Sequence, residues 1–214
     1  MSIRATYTEA VARPPLTERR KAQTRREIAE HALGLFMRNG YAAVGAEAIA
    51  EAAGVSLRTF YRYFPGKDEV LVPIVADSVG ELVDQIAARP VDEPLGVAVE
   101  RAVEAFDLRH GVEGINALAQ LLDAVPALGA RVGLEFAALE DQLTPLVHER
   151  AGGRVGEEDA RVTAALIVAC LRIALRTTAQ RPPTPFAVAL RRALQHAQAG
   201  AGLADTAPAR TDAP

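Results

Sequence analysis

Eight consecutive residues, Ser56 to Tyr63, carry two arginines, two tyrosines, a serine and a threonine. Guanidinium forks fit the acceptor pair on a guanine edge and hydroxyls fit phosphate oxygens, so this segment has the chemistry of a surface that reads a nucleic-acid groove. Wound as a helix, it sorts into two faces. Phe60 and Phe64 lie four apart and turn towards Val55, Ile49 and Leu35, whereas Leu57, Arg58, Tyr61 and Arg62 lie opposite, with Thr59 and Tyr63 at the margins. A second basic cluster, Arg19-Arg20-Lys21 with Arg25 and Arg26, has two readings. It is a phosphate-binding or minor-groove arm, or the solvated face of a helix partly neutralised by Glu18 and Glu27. The first 67 residues hold 11 Lys and Arg against 6 acids and the rest hold 13 against 21, so a front of +5 is joined to a back of −8. That asymmetry suits an N-terminal part that approaches a polyanion while the remainder stays clear of it.

The elements that must hold these side chains are helices. Apolar residues recur at three- and four-residue spacing, and Ala, Leu, Arg and Glu abound, which predicts an all-α chain. Residues 1–16 lack helical periodicity and read as a flexible arm, 17–66 as three short helices, 67–199 as a larger helical body, and 200–214 as a disordered tail rich in Ala, Gly, Thr and Pro. Thr17 is placed to cap the first helix, whose apolar face is Ile28, Ala32, Leu35 and Phe36 and which Asn39-Gly40 ends. A second helix runs from about Ala46 to Ala53, Gly54 turns the chain, and Ser56 caps a third that reaches about Phe64 before Pro65-Gly66. Two short helices around a glycine turn match the helix-turn-helix plan, in which the second helix enters the major groove. In the body, a fourth helix is expected from Lys67 to about Ala88. The next has Asp92 as its cap and Pro94 in its first turn. Others end near Val125, run from Pro126 to Arg150 and from Glu157 to Gln180, and finish near Ala199.

The stretch from Thr24 to Leu71, TRREIAEHALGLFMRNGYAAVGAEAIAEAAGVSLRTFYRYFPGKDEVL, resembles the DNA-binding domain of the TetR family of transcriptional regulators, notably in IAEAAGVS, TFYRYF and Lys67. The resemblance implies an N-terminal helix-turn-helix domain followed by a C-terminal helical domain for ligand binding and dimerisation. It implies a homodimeric repressor of double-stranded DNA that a small-molecule inducer releases. Ser56, Leu57, Arg58 and Thr59 fall where members approach bases and phosphates, Tyr61 and Tyr63 where they grip the backbone, and Lys67 at a further phosphate contact. Gly45 stands where the family has Thr or Ser, so any phosphate contact there passes to a backbone N–H. The segment Ala88-Arg89-Pro90 through Asp92-Glu93-Pro94 is similar to regulators of the mycofactocin type, some of which respond to acyl-CoA thioesters.

By the same family plan the last two helices pair with their copies as a four-helix bundle. Ala164, Ala165, Val168, Leu171, Ile173, Leu175, Phe186, Leu190 and Leu194 supply apolar surface that some other surface must cover, either a partner subunit or the same chain. Phe106, Leu108, Ile115, Leu118, Leu121, Leu122, Phe136 and Leu139 either line a cavity for an acyl-CoA-like or other apolar ligand or form core. Arg172 and Arg176, four apart on an apolar helix, either bind an anionic head group or serve an interface.

Other function classes find little support. His31, His110, His148 and His196 have no metal-ligand spacing, three serines occur without a nucleophile elbow, and no glycine loop is built to cradle phosphate, so no catalytic residue, metal or cofactor is expected. An enzyme with chain-distant residues, or an interaction module using the helix-turn-helix for protein contacts, are the alternatives. No apolar run approaches the roughly 20 residues of a membrane span, and the N-terminus has no signal-peptide pattern, so a cytoplasmic protein without membrane contact is expected. The lone Cys170 lies in an apolar run and excludes an internal disulfide.

Overall fold

The computed structural model describes residues 15–200, so most of the expected arm and all but the first residue of the expected tail lie outside the described residues. The described chain is helical, without strands: α1 (Leu16–Asn39), α2 (Ala46–Ala52), α3 (Leu57–Tyr63), a 3-10 turn (Lys67–Glu69), α4 (Val72–Ala87), α5 (Leu95–His110), α6 (Val112–Ala124), α7 (Pro126–Arg150), α8 (Glu157–Gln180) and α9 (Phe186–Gln198). It divides into two compact units, Met1–Ile74 and Val75–Pro214, so the division falls within α4 rather than at residue 66.

Three helices start directly after a proline, and this corrects two expected caps. Pro15 accepts the N–H of Glu18 and Arg19 (2.9 and 3.1 Å), Pro94 that of Ala98 (3.0 Å) and Pro185 that of Ala189 (3.1 Å). A proline in extended conformation presents its carbonyl to the first turn without needing a side-chain cap. Thr17 is therefore inside α1, and Asp92 lies outside α5. Helices α1 and α5 end on Gly40 (φ 78°) and Gly111 (φ 75°), a region of backbone space that side chains with a Cβ rarely enter. The expected continuous fourth helix is also corrected: Lys67–Glu69 makes a 3-10 turn before α4 begins.

In the first unit α1 and α3 each pack on α2, around Ile28, Ala32, Phe36, Ile49, Phe60, Phe64 and Leu71. Leu35 and Val55 are only half-buried. In the second unit α8 lies against α6, α7 and α9, and α9 also packs on α5. Ala160, Ala164 and Ala174 on the inner face of α8 admit close neighbours, and Leu171 and Leu190 are sealed, each contributing about 1.5–3 kcal/mol. An 18-residue window of α8 has a mean hydropathy of 1.6, so by length and composition alone this helix could cross a membrane, although arginines interrupt its apolar run. Its inner face is instead packed against the other helices of its unit.

Five residues assigned above to a subunit interface belong to this core. Val168, Leu171, Phe186, Leu190 and Leu194 are buried within the one chain, and Ala165 and Leu175 are half-buried. The apolar residues α8 leaves exposed are Val162, Leu166 and Ile173, each more than half accessible, with Ala169 between them. At spacings of four, three and four residues these make one stripe.

Two buried charges tie the second unit together. Arg150, at the end of α7, donates to the carbonyls of Arg89 (3.1 Å), Pro90 (2.7 Å) and Glu93 (2.9 Å) and thereby fixes the α4–α5 connection. Asp107 on α5 accepts the N–H of Ala187 (2.9 Å) and so caps α9 from a remote helix, while its other carboxylate oxygen has no hydrogen-bond partner among the described residues.

Candidate nucleic-acid interface

Helix α3 is held from one side and open on the other. Ser56 Oγ accepts the Thr59 N–H at 3.1 Å and lies 2.9 Å from Thr59 Oγ1, so these two hydroxyls first serve the helix start. Phe60 and Phe64 are fully buried, with ring centroids 5.6 Å apart, and Phe60 meets Tyr61 edge-on at 5.4 Å. This anchoring presents Leu57, Arg58, Tyr61 and Arg62 to solvent, with Tyr63 half-buried at the margin, as the spacing requires. Arg62 lies 5.0 Å over the Tyr63 ring, while Arg58 makes no ion pair or hydrogen bond among the described residues. An unpaired, exposed guanidinium on a rigid helix can fork onto a base edge without first breaking a bond.

The basic cluster on α1 separates into its two readings. Lys21 pairs with Glu18 (2.7 Å) and Arg26 with Glu30 (2.9 Å), and Arg25 rests 5.5 Å over the Phe64 ring. Arg19 and Arg20 are exposed and have no such partner among the described residues. With Arg25, whose charge the ring contact leaves in place, they are the cations of the cluster without an ion pair among the described residues. Gly45 caps α2 in extended conformation (φ −94°, ψ 168°) without a side chain, and a Cβ added there would lie 3.0 Å from Glu47 Oε2, the movable end of a side chain.

Lys67 sits differently from a free phosphate contact. Its ammonium donates to the carbonyls of Tyr41 and Val44, both at 2.9 Å, and lies 4.2 Å over the Tyr41 ring. Two of its three protons close the turn between α1 and α2, leaving one for any outside acceptor. Sequence reasoning missed Tyr41 as its partner; only Lys67 itself was visible. Burial, followed by the nearby Asp68 carboxylate, holds the Tyr41 hydroxyl above its ordinary pKa.

In the second unit, α6, α7 and α8 line an open cleft of about 450 Å³. Of the residues expected to line a cavity, Leu122, Phe136, Arg172 and Arg176 do so. Phe106, Leu118, Leu121 and Leu139 are not in its wall: Leu139 is sealed core, and Phe106 stacks on His110 with centroids 4.3 Å apart. Leu108 is 88% exposed and lines nothing, because it falls on the outer face of the last turn of α5. The sequence reading missed Gly129 and Gly133 in the wall, although two glycines four apart inside a helix are a signal that something passes close by. No group of three metal-ligating side chains occurs among the described residues.

Residues 26–73 match the family model for bacterial regulatory proteins of the tetR family. Over 148 residues the chain is 33% identical to the HTH-type transcriptional regulator TcmR of Streptomyces glaucescens, a match that takes in 65% of each protein. It is 26% identical over 139 residues to a proposed mycofactocin biosynthesis transcriptional regulator, MftR, of Mycobacterium tuberculosis, covering 64% of this chain and 70% of that one. The chain thus spans just under two thirds of the length of TcmR. The crystal structure of Thermus thermophilus FadR, a TetR-family transcriptional repressor in complex with lauroyl-CoA, superposes with a TM-score of 0.59, over 89% of this chain and 98% of FadR. At 20% identity that likeness is one of fold. These relatives are transcriptional regulators and not enzymes.

Proposed function

We propose that this chain is a member of the TetR family of bacterial transcriptional regulators, whose model its residues 26–73 match, and that it is a cytoplasmic repressor. It binds a pseudo-palindromic operator as a homodimer and leaves it when a small, mostly apolar ligand enters its C-terminal unit. The observation that carries this is α3: capped by Ser56, pinned by two buried phenylalanines, and turning Arg58, Tyr61 and Arg62 outwards. A recognition helix needs this combination of a fixed backbone and unengaged polar tips.

The exposed stripe of α8 supports dimerisation. Antiparallel pairing of this helix with that of a second copy covers Val162, Leu166, Ala169 and Ile173. One recognition helix per subunit and a two-fold axis require a two-fold DNA site. For release, the ligand must bind the DNA-incompetent arrangement more tightly than the competent one. Because the division between the units falls inside α4, the backbone of that helix joins the ligand-binding unit to the reading head.

Selection of bound fragments from genomic DNA, followed by footprinting, tests the reading. An inverted repeat bound with steep salt dependence is expected. Bound fragments without an inverted repeat, or binding insensitive to salt, would favour a protein-contact module instead.

A further inference from the structure

The cleft between α6, α7 and α8 combines two properties that neither the core nor the solvated surface shares. Its floor is apolar, formed by Leu122, Val132 and Phe136, while Arg172 and Arg176 stand one turn apart along its α8 wall. Of the other arginines in the unit, Arg89 and Arg101 pair with Glu93, Arg109 with Glu81 and Arg191 with Glu100 and Glu104, whereas Arg181 and Arg192 are exposed outside the cleft without an ion pair among the described residues. Arg172 and Arg176 have no ion pair or hydrogen bond among the described residues. The wall holds one acid, Asp123, whose oxygens lie 3.5 Å from the Gln180 amide, against two arginines, so the lining has a net positive charge.

The two wall glycines of α7 differ in what they do. A Cβ on Gly129 would lie 2.9 Å from the Leu122 carbonyl, so this glycine is needed where α6 and α7 meet. A Cβ on Gly133 would meet nothing within 4 Å. Packing does not require glycine at 133, and a glycine inside a helix costs about 1 kcal/mol relative to alanine, so its effect is to keep the hollow open.

We infer that this cleft is the ligand site, and that its ligand is an organic anion with an apolar body: the anionic head lies between Arg172 and Arg176, and the body fills the space over Leu122, Val132 and Phe136. Paired guanidiniums hold a carboxylate, sulfonate or phosphate through parallel N–H donors, and a volume of this size is typical of small-molecule sites. The inference rests on the proposed ligand response and names its site and chemistry.

A matched pair of fluorescent probes tests it on the full-length protein. 8-Anilino-1-naphthalenesulfonate and N-phenyl-1-naphthylamine share one apolar body and differ by the sulfonate. The sulfonate is expected to bind at one saturable site per chain and at least tenfold more weakly to the Arg172→Gln/Arg176→Gln variant. The neutral amine should be indifferent to that change. Gly133→Leu should abolish both signals with a melting temperature at or above that of the parent. Sulfonate binding that is absent, or unchanged in the arginine variant, overturns the inference, as does full binding to a folded Gly133→Leu protein. Because binding is read without DNA, these outcomes leave operator recognition untouched. Probe binding that follows the pattern but never alters operator affinity keeps the site and removes the proposed release.

Discussion

Lys67→Gln separates two roles for a lysine beside a recognition helix. As a clamp, its ammonium makes charge-assisted hydrogen bonds to Tyr41 and Val44 and faces the Tyr41 ring. A hydrogen bond to a charged group contributes about 1.5–3 kcal/mol, and an exposed cation–π contact about 0.5–1 kcal/mol. The two bonds share one partly exposed group, so their joint loss is set at about 2–3 kcal/mol rather than the sum. In a unit of this size 1 kcal/mol moves the melting temperature by roughly 4–8 °C, which puts the expected fall on the order of 10 °C. As a phosphate contact, by contrast, loss of the lysine would lower the slope of log affinity against log salt by about 0.9. Circular dichroism melts give the first quantity and operator-binding anisotropy across a salt series gives the second. The clamp geometry requires a lower melting temperature with little change in slope. An unchanged melting temperature with a slope reduced by about 0.9 would refute it and restore the phosphate role implied by the family resemblance.

Other substitutions carry their own readouts. Arg58→Ala should cost about 1–3 kcal/mol at a matched operator and little on random DNA, measured by competitive anisotropy, whereas equal losses would make it a phosphate contact. Gly45→Ser should tighten operator binding and raise stability by a few tenths of a kcal/mol, since a hydroxyl cap replaces an empty one and Glu47 can swing aside. Burial, foremost, pushes the Asp107 carboxyl above its ordinary value of 3.8, so the native state favours the protonated acid and loses stability as pH rises through the folded value. Asp107→Asn retains an acceptor for the Ala187 N–H and escapes that loss. Urea titrations should therefore show its stability relative to the parent improving from pH 3 to pH 7, while Asp107→Ala falls below the parent by about 1–2 kcal/mol at pH 7. Leu166→Glu places a charge on an exposed position of α8 and should yield a folded monomer by light scattering; a dimer of unchanged affinity would move the interface elsewhere.

What the sequence disclosed depended on how far apart the cooperating residues lie. Gly54, Ser56, Phe60 and Phe64 act within a dozen positions, and their turn, cap and buried face were legible as local pattern. The carbonyl partners of Lys67 were not legible because they lie 26 and 23 residues upstream, and a carbonyl leaves no mark in the side-chain sequence. The same holds for Arg150, whose four acceptors are backbone oxygens some 60 residues away. Helix α8 defeated the interface assignment for another reason. Apolar residues occupy both its sealed face, at Ile167 and Leu171, and its open one, at Leu166 and Ile173, so periodicity could not tell inside from outside. The start positions of α1 and α5 were missed because a polar residue near a helix end was preferred over a proline carbonyl as the first acceptor.

Helix α8 has one further consequence, for how such a protein can diverge. Ala169 and Ile173 belong to two surfaces at once, the wall of the cleft and the stripe proposed for self-association. A change there that suits a new ligand also alters how two copies fit, so these positions answer to two selections and can drift under neither alone. Leu122, Val132, Gly133 and Phe136 touch the cleft from α6 and α7, away from the stripe. Ligand preference can be rewritten through those four residues while the assembly stays as it is, and a family of regulators sharing this architecture should vary first on that side of the cleft.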